Sequence, residues 1–290
     1  MAGADRGAGR PRTSVWLEGR PAPKRRSEQP EGLDRDKIVA ATVRLLDAEG
    51  PGKFSMRRLA AELGVTAMSV YWYVDTKDDL LELALDAVAG EIELPGGDDG
   101  DWRSQLVSLA VQYRNLMVAH PWVSRLVGEY LNVGPNAMAF STAAQRVMRS
   151  SGLSDEQLPG ALSLVFQFAY GFGTIEGRFN ARCREAGLSQ DEFFWQVMGR
   201  VQDRPEFDES RNFMEARGGG SVEELRGRDW EFALECAIAG IEALRDRAAE
   251  RASGSEGASG DRNAGGGGGG VTGGAGKRPV REGHRQSTTG

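Results

Sequence analysis

Cysteine and histidine are scarce in this chain of 290 residues, with two of each. Cys183 and Cys236 stand alone and far apart. That is too few for a disulfide framework or a zinc module, and it points to a reducing compartment, the cytoplasm. His284 sits in the Gly-rich C-terminal stretch, so a histidine-based catalytic triad would have to be built on His120 alone. There is no Gly-x-Ser-x-Gly elbow. Gly276-Lys277 is followed by Arg278 instead of Ser or Thr and has no strand before it, so it is not a phosphate loop. Metal-ligand spacing is absent. These gaps leave little for an enzyme to work with: no catalytic residue, metal or cofactor is expected. The first residues hold no apolar leader. The longest apolar run, roughly Ala161–Thr174, is interrupted by Gln167 and falls short of the ~20 residues a membrane span needs. It reads as a buried core helix, and no membrane partner is expected. No strand-like alternation of useful length and no internal repeat are visible.

Positive charge is also lacking overall, since the net charge is −6. The average hides an asymmetry. Residues 1–77 hold 14 Lys and Arg against 10 Asp and Glu, so the basic excess is confined to one end of an acidic body. Such a chain fits contact with phosphate at that end only. Composition divides the chain into four stretches: a basic Arg/Pro/Gly arm over 1–33, a helical segment over 34–94, a larger helical segment over 95–250, and a disordered Gly/Ser-rich tail over 251–290. The arm, with Lys24-Arg25-Arg26, reads either as a DNA-contacting extension or as a solvated leader. The fold class is all-α.

Within 34–94, Ile38, Ala41, Thr42 and Leu45 mark one face of a first helix, which Gly50-Pro51-Gly52 stops. The stretch Ser55–Val74, SMRRLAAELGVTAMSVYWYV, carries the strongest local pattern. Ser55 can cap a helix over Met56–Leu63 and Thr66 a second one running to about Val74. Ala60 is small where two helices cross, Gly64 suits the left-handed turn between them, and Leu59, Leu63, Val65, Val70 and Tyr73 fall at positions that bury. This spacing predicts a helix-turn-helix. An ordinary helical hairpin is the competing reading. In a helix-turn-helix the second helix enters the major groove. It would expose Ala67, Met68, Ser69, Tyr71, Trp72 and part of Tyr73. Ala67 and Met68 suit thymine methyls, and Ser69 and Tyr71 suit phosphates. Arg57 could reach a guanine edge or a phosphate. Lys77 opens a fourth helix whose free N–H groups complete a phosphate clamp.

At this point the sequence resembles the TetR family of transcriptional regulators, over about Asp34 to Asp86. The resemblance rests on Ile38-Val39-Ala40-Ala41, Leu45-Leu46-Asp47-Ala48-Glu49-Gly50, Leu59-Ala60, Leu63-Gly64-Val65, Val70-Tyr71-Trp72-Tyr73-Val74, and Lys77 with Leu80-Leu81. It implies that Arg57, Ala67, Met68 and Tyr73 face bases and that Ser69, Tyr71 and Lys77 face phosphates. It further implies a homodimer on double-stranded, near-palindromic operator DNA, usually a repressor released by a small-molecule effector. A DNA-binding activator and an effector-independent DNA-binding protein stay open as alternatives. A weaker likeness to the regulatory domain of tetracycline repressors rests on His120-Pro121-Trp122, Gly134-Pro135-Asn136, Ser151-Gly152-Leu153-Ser154 and Tyr170-Gly171. With so few histidines, tetracycline itself is not the expected ligand.

Beyond residue 95 the spacing predicts helices over Trp102–Ala119, Trp122–Leu131, Asn136–Ser151, Glu156–Ala186, Gln190–Val201 and Arg228–Ala249, with a long loop over Asp203–Gly227. Tyr113, Met117, His120, Trp122, Phe140, Met148, Phe166 and Tyr170 are the candidates for an apolar effector pocket, or else core. Trp230, Leu234, Ala237, Ile241 and Leu244 form a heptad-like seam. With Leu162, Val165, Ala169 and Gly173 they make the candidate dimer interface, or else pack within the chain.

Overall fold

The computed structural model describes residues 14–17, 32–96 and 101–260. Among the described residues every regular element is a helix. The chain opens with α1 (Arg35–Glu49), capped by Asp34, whose carboxylate accepts from Lys37 N at 2.8 Å. Ile38, Ala41, Thr42, Leu45 and Leu46 form its buried face, the stripe that the spacing predicts. The short α2 (Met56–Glu62) and α3 (Ala67–Tyr71) follow. A capping box of Thr76 and Asp79 then starts α4 (Lys77–Ala89).

Helix α4 is unusual in being buried nearly all round: every residue from Asp79 to Asp86 is buried. It packs on α1 on one side and on α6 (Val123–Glu129) and α7 (Pro135–Arg149) on the other. Three of its buried residues are carboxylates, and each has a partner that explains its place. Asp79 completes the capping box, and Glu82 accepts from Ser14 Oγ at 2.5 Å. Asp86 caps a different helix, accepting from Ala137 N at 3.0 Å at the start of α7.

The core of the second half is the crossing of α5 (Trp102–Ala119) with α8 (Leu158–Ala186). Glycine permits that crossing. A Cβ on Gly173 would lie 2.7 Å from the carbonyl oxygen of Arg114, and one on Gly177 would lie 2.5 Å from that of Met117. By length and composition α8 could cross a membrane. Here α5 covers one of its faces, and its Glu176 is paired with Arg114 of α5 at 3.0 Å. Only 22% of its apolar window is buried within the single subunit, so the expectation of a buried core helix holds for the side that faces α5. The chain continues through α9 (Gln190–Val201), α10 (Asp208–Ala216) and α11 (Val222–Gly260). Residues 1–246 form one contact unit and 247–290 another, whose described part is the last stretch of α11.

Three expectations change. The arm is not featureless throughout: residues 14–17 form a turn, with Leu17 N donating to Ser14 O at 3.2 Å, and Val15 and Trp16 pack on the core. Residues 1–13 and 18–31 of the arm lie outside the described residues, as do 261–290 of the tail. The expected loop over 203–227 contains a 3₁₀ turn at Pro205–Phe207, then α10, and only then the Gly218-Gly219-Gly220 break. Asp208 and Glu209 favour the N-terminus of α10 through its dipole. Finally, α11 runs on to Gly260 through the first part of the expected tail. Extending an existing helix is far easier than nucleating a new one.

Candidate nucleic-acid interface and effector cavity

The α2–α3 turn is built as a Schellman stop. Gly64 takes φ +66°. Gly64 N bonds to Ala61 O at 3.2 Å and Val65 N to Ala60 O at 2.9 Å. Thr66 then caps α3, accepting from Ser69 N at 3.2 Å. Val70 is buried at the centre of the unit, as are Leu59 and Ala60 of α2. The outer face of α3 carries Met68, 68% exposed, and Tyr71, 41% exposed. Arg57 and Arg58 both lie exposed on α2. Arg58 is tied to Glu49 at 3.0 Å, whereas no described carboxylate holds Arg57. Lys77 stands on the first turn of α4 with its ammonium over the Phe54 ring, 5.6 Å from the centroid. Ala67, Ser69 and Trp72 are half-buried. Tyr73 is half-buried, as its place in the pattern predicts: its hydroxyl donates to Leu33 O at 2.7 Å and its ring packs on the core, so it braces the entry of α1.

The eight residues expected in the effector pocket divide into three groups. Tyr113, Phe140 and Phe166 meet in an aromatic triad with ring centroids 5.1 to 5.6 Å apart. Burial first, and the neighbouring Tyr170 second, push the Tyr113 phenol up to about 12. Met117 and Met148 are fully buried in the same core. His120, Trp122 and Tyr170 form joints between elements. The ring nitrogens of His120 lie 2.7 Å from Asp47 of α1 and 3.0 Å from Glu91 just past α4. The Trp122 indole donates to the same Asp47 oxygen at 2.7 Å. Tyr170 ties α8 to α6 by donating to Ser124 O at 2.7 Å. Tyr130 adds a bond from the end of α6 to Asp78 of α4, at 3.0 Å.

None of these eight lines a cavity of about 860 Å³ that lies between the second half of α8, α9, α10 and the start of α11. Its walls include Phe172, Phe179, Phe194, Trp195 and Phe207, with Arg217, Arg226, Asp191 and Gln202 as polar groups. Sequence reasoning missed it because one wall is the stretch that reads as a loop. The Phe193-Phe194-Trp195 cluster is the signal that could have found it.

The expected dimer seam is corrected at six positions. Val165, Ala169, Trp230, Leu234 and Ile241 are 0–4% exposed, and Gly173 is packed on α5. They face their own subunit because the α5–α8 crossing and the stacking of Trp230 on Phe168, at 5.0 Å, consume that surface. Leu162 and Ala237 are half-buried. The outward apolar side chains are Leu164 and Ile175 of α8 with Phe232 and Leu244 of α11.

A helix-turn-helix joined through a buried relay helix to an all-helical domain with a ligand-sized aromatic cavity is the plan of a ligand-responsive DNA-binding regulator. Residues 38–84 match the family model of bacterial regulatory proteins of the tetR family, and residues 94–245 match the tetracyclin repressor-like C-terminal domain. An HTH-type transcriptional regulator of Saccharopolyspora erythraea is 33% identical over 229 residues, covering 79% of this chain and 94% of the relative. The HTH-type transcriptional repressor DrrR1 of Streptomyces coeruleorubidus is 36% identical over 163 residues, covering 56% of this chain and 60% of DrrR1. The crystal structure of Streptomyces coelicolor ActR in complex with actinorhodin, 29% identical, superposes with a TM-score of 0.59 over 73% of this chain and 98% of that one. The chain belongs to the TetR family of DNA-binding transcriptional regulators.

Proposed function

We propose that this chain is a cytoplasmic homodimeric repressor that holds operator DNA through α3 and lets go when an aromatic small molecule enters the cavity between α8, α9, α10 and α11. The observation that carries this reading is the pairing of a large aromatic-walled cavity with polar ties that run from α8 through α6 to α4 and from the turn before α6 to α1, the helices that flank the helix-turn-helix. Tyr170 links α8 to α6, Tyr130 links the end of α6 to α4, and Trp122 and His120 link the turn before α6 to α1. A ligand that shifts α8 acts through these ties on the separation of the two recognition helices in a dimer, and a bound dimer needs half-sites about one helical turn apart or a multiple of it. The similarity to ActR, which was crystallised with actinorhodin, supports a small-molecule effector, and the similarity to the repressor DrrR1 supports repression. Met68 is the side chain offered to base edges, with Arg57 beside it, and Tyr71 is offered to a phosphate. Lys77 and the free N–H groups of α4 serve a phosphate. The second copy docks through exposed apolar side chains of α8 and α11, Leu164, Phe232 and Leu244 among them. No reaction is part of this reading.

Fluorescence anisotropy of the full chain on DNA upstream of its own coding sequence, against random DNA over a salt series, tests it. Specific binding is expected to the first, and the salt slope reports phosphate contacts. Equal, weak and salt-steep binding to both would overturn sequence-specific regulation at that site.

A further inference from the structure

Among the described residues the cavity holds one guanidinium without an ion-pair partner. Three arginines line it, and two are matched: Arg211 is paired with Asp208 at 3.1 Å and Arg217 with Asp229. Arg226 is not. Among the described residues its guanidinium donates through Nη1 to the neutral Gln190 Oε1 at 2.9 Å and lies over the Phe179 ring at 5.0 Å, with no carboxylate in ion-pair reach. The charge of Glu176 is felt there, but that carboxylate is bound to Arg114. Arg226 is half-buried, and desolvation is the main cause that pulls its pKa below the ordinary guanidinium range. Of the acidic groups on the cavity wall, Asp191 accepts from Val222 N at 2.7 Å, Asp229 is taken by Arg217, and Asp203 and Glu215 are exposed. Five N–H donors in a planar fork, one spent on an amide, leave a receptor for a planar anion. A cation removed from water without a counter-charge is costly, and a bound anion relieves that cost.

We propose that the effector is an aromatic anion of the carboxylate or sulfonate class, its rings between the aromatic walls and its anionic group on Arg226. The proposal rests on the cavity being the effector site. The volume, about 860 Å³, is toward the upper end for small-molecule sites and admits several fused rings.

Two probes of nearly identical aromatic shape separate the parts of the claim: 1-anilinonaphthalene-8-sulfonate and its uncharged counterpart N-phenyl-1-naphthylamine. Fluorescence titration of the full chain should show the sulfonate binding about tenfold tighter, equivalent to ~1.4 kcal/mol. Arg226→Gln should bring the sulfonate down to the level of the neutral probe while the neutral probe binds as before, which also reports an intact fold. Arg226→Lys should keep most of the preference. Met198→Trp, which fills the cavity, should abolish both. Equal binding of the two probes to the natural chain, or a sulfonate preference that survives Arg226→Gln, would overturn the anion receptor and leave the cavity standing. Undiminished binding of both probes to Met198→Trp would overturn the cavity as the site itself.

Discussion

The Nδ1 atom of His120 lies 2.7 Å from Oδ1 of Asp47, fastening the turn between α5 and α6 to the far end of α1. Its other ring nitrogen faces Glu91 at 3.0 Å. Both partners only accept when ionised, so holding both requires two ring protons, hence the imidazolium. Burial works against that charge, but the bonds from Asp47 and Glu91 outweigh it, and the pKa is raised above the ordinary 6.5. A raised folded-state pKa means that this joint stabilises fully below pH 6.5 and loosens as pH climbs through the folded value. His120→Asn should lower stability by ~1.5 kcal/mol at pH 6, the low end for bonds to charged groups, because Glu91 is partly exposed. Thermal melts at pH 6 and pH 8.5 check the sign: the gap to the natural chain should narrow at the higher pH. A gap independent of pH would refute the charged joint.

Gly173→Ala and Gly177→Ala should each destabilise the chain by ~1–3 kcal/mol, the usual range for overpacking. The atoms a Cβ would strike at 2.5 to 2.7 Å are backbone carbonyls of α5, which cannot swing aside as a side chain can. Urea unfolding measures this. Gly171→Ala on the same helix, with nothing within 4 Å of the added carbon, is the matched control and should change little.

Asp86→Ala should cost ~1–2 kcal/mol, as the loss of a helix cap does, although the helix being capped belongs to the other half of the unit. It leaves the Ala137 N–H, bonded at 3.0 Å in the natural chain, without its acceptor. Hydrogen exchange should locate the loss in the first turn of α7. Faster exchange confined to α4 would contradict the assignment.

At the DNA interface the outcomes should differ by residue. Arg57→Ala should weaken operator binding and relax sequence preference, by ~1–3 kcal/mol for a guanidinium on a base edge. Lys77→Ala should weaken all sequences alike and reduce the salt slope by about one. Tyr73→Phe should instead lower stability by ~1 kcal/mol, since its hydroxyl holds Leu33 O at 2.7 Å, and leave base preference as it was. Anisotropy on operator variants separates the three.

Phe232→Glu should dissociate the proposed dimer, read by light scattering across a dilution series. Its ring is 73% exposed in the single subunit, so the charge costs the isolated fold little. A dimer that persists would move the interface to another face.

Local chemistry makes the first half of the chain legible in sequence. The caps at Ser55 and Thr66 and the turn at Gly64 are each decided within a few residues, and the structure uses all three. The bounds of α5 and α9 are readable for the same reason. Which apolar face meets which neighbour is not readable, because periodicity gives a stripe and no address. The stripe through Trp230, Leu234 and Ile241 suits an intersubunit seam and a subunit core equally well, and the core has it. Tyr73 shows the same limit on a smaller scale. Its position on the helix-turn-helix points to bases, while a backbone carbonyl 40 residues earlier in the chain takes its hydroxyl.

Glu82 and Asp86 are one turn apart on α4. The first holds the Ser14 turn and the second holds the head of α7. The two attachments therefore share a single axle. A displacement of α7 that carries α4 with it should be felt, one helical turn away, at the Ser14 turn beside Trp16. The indole of Trp16 becomes an optical gauge of the regulatory half, and trimming the chain past Leu17 would remove the gauge and leave the Glu82 carboxylate without its donor.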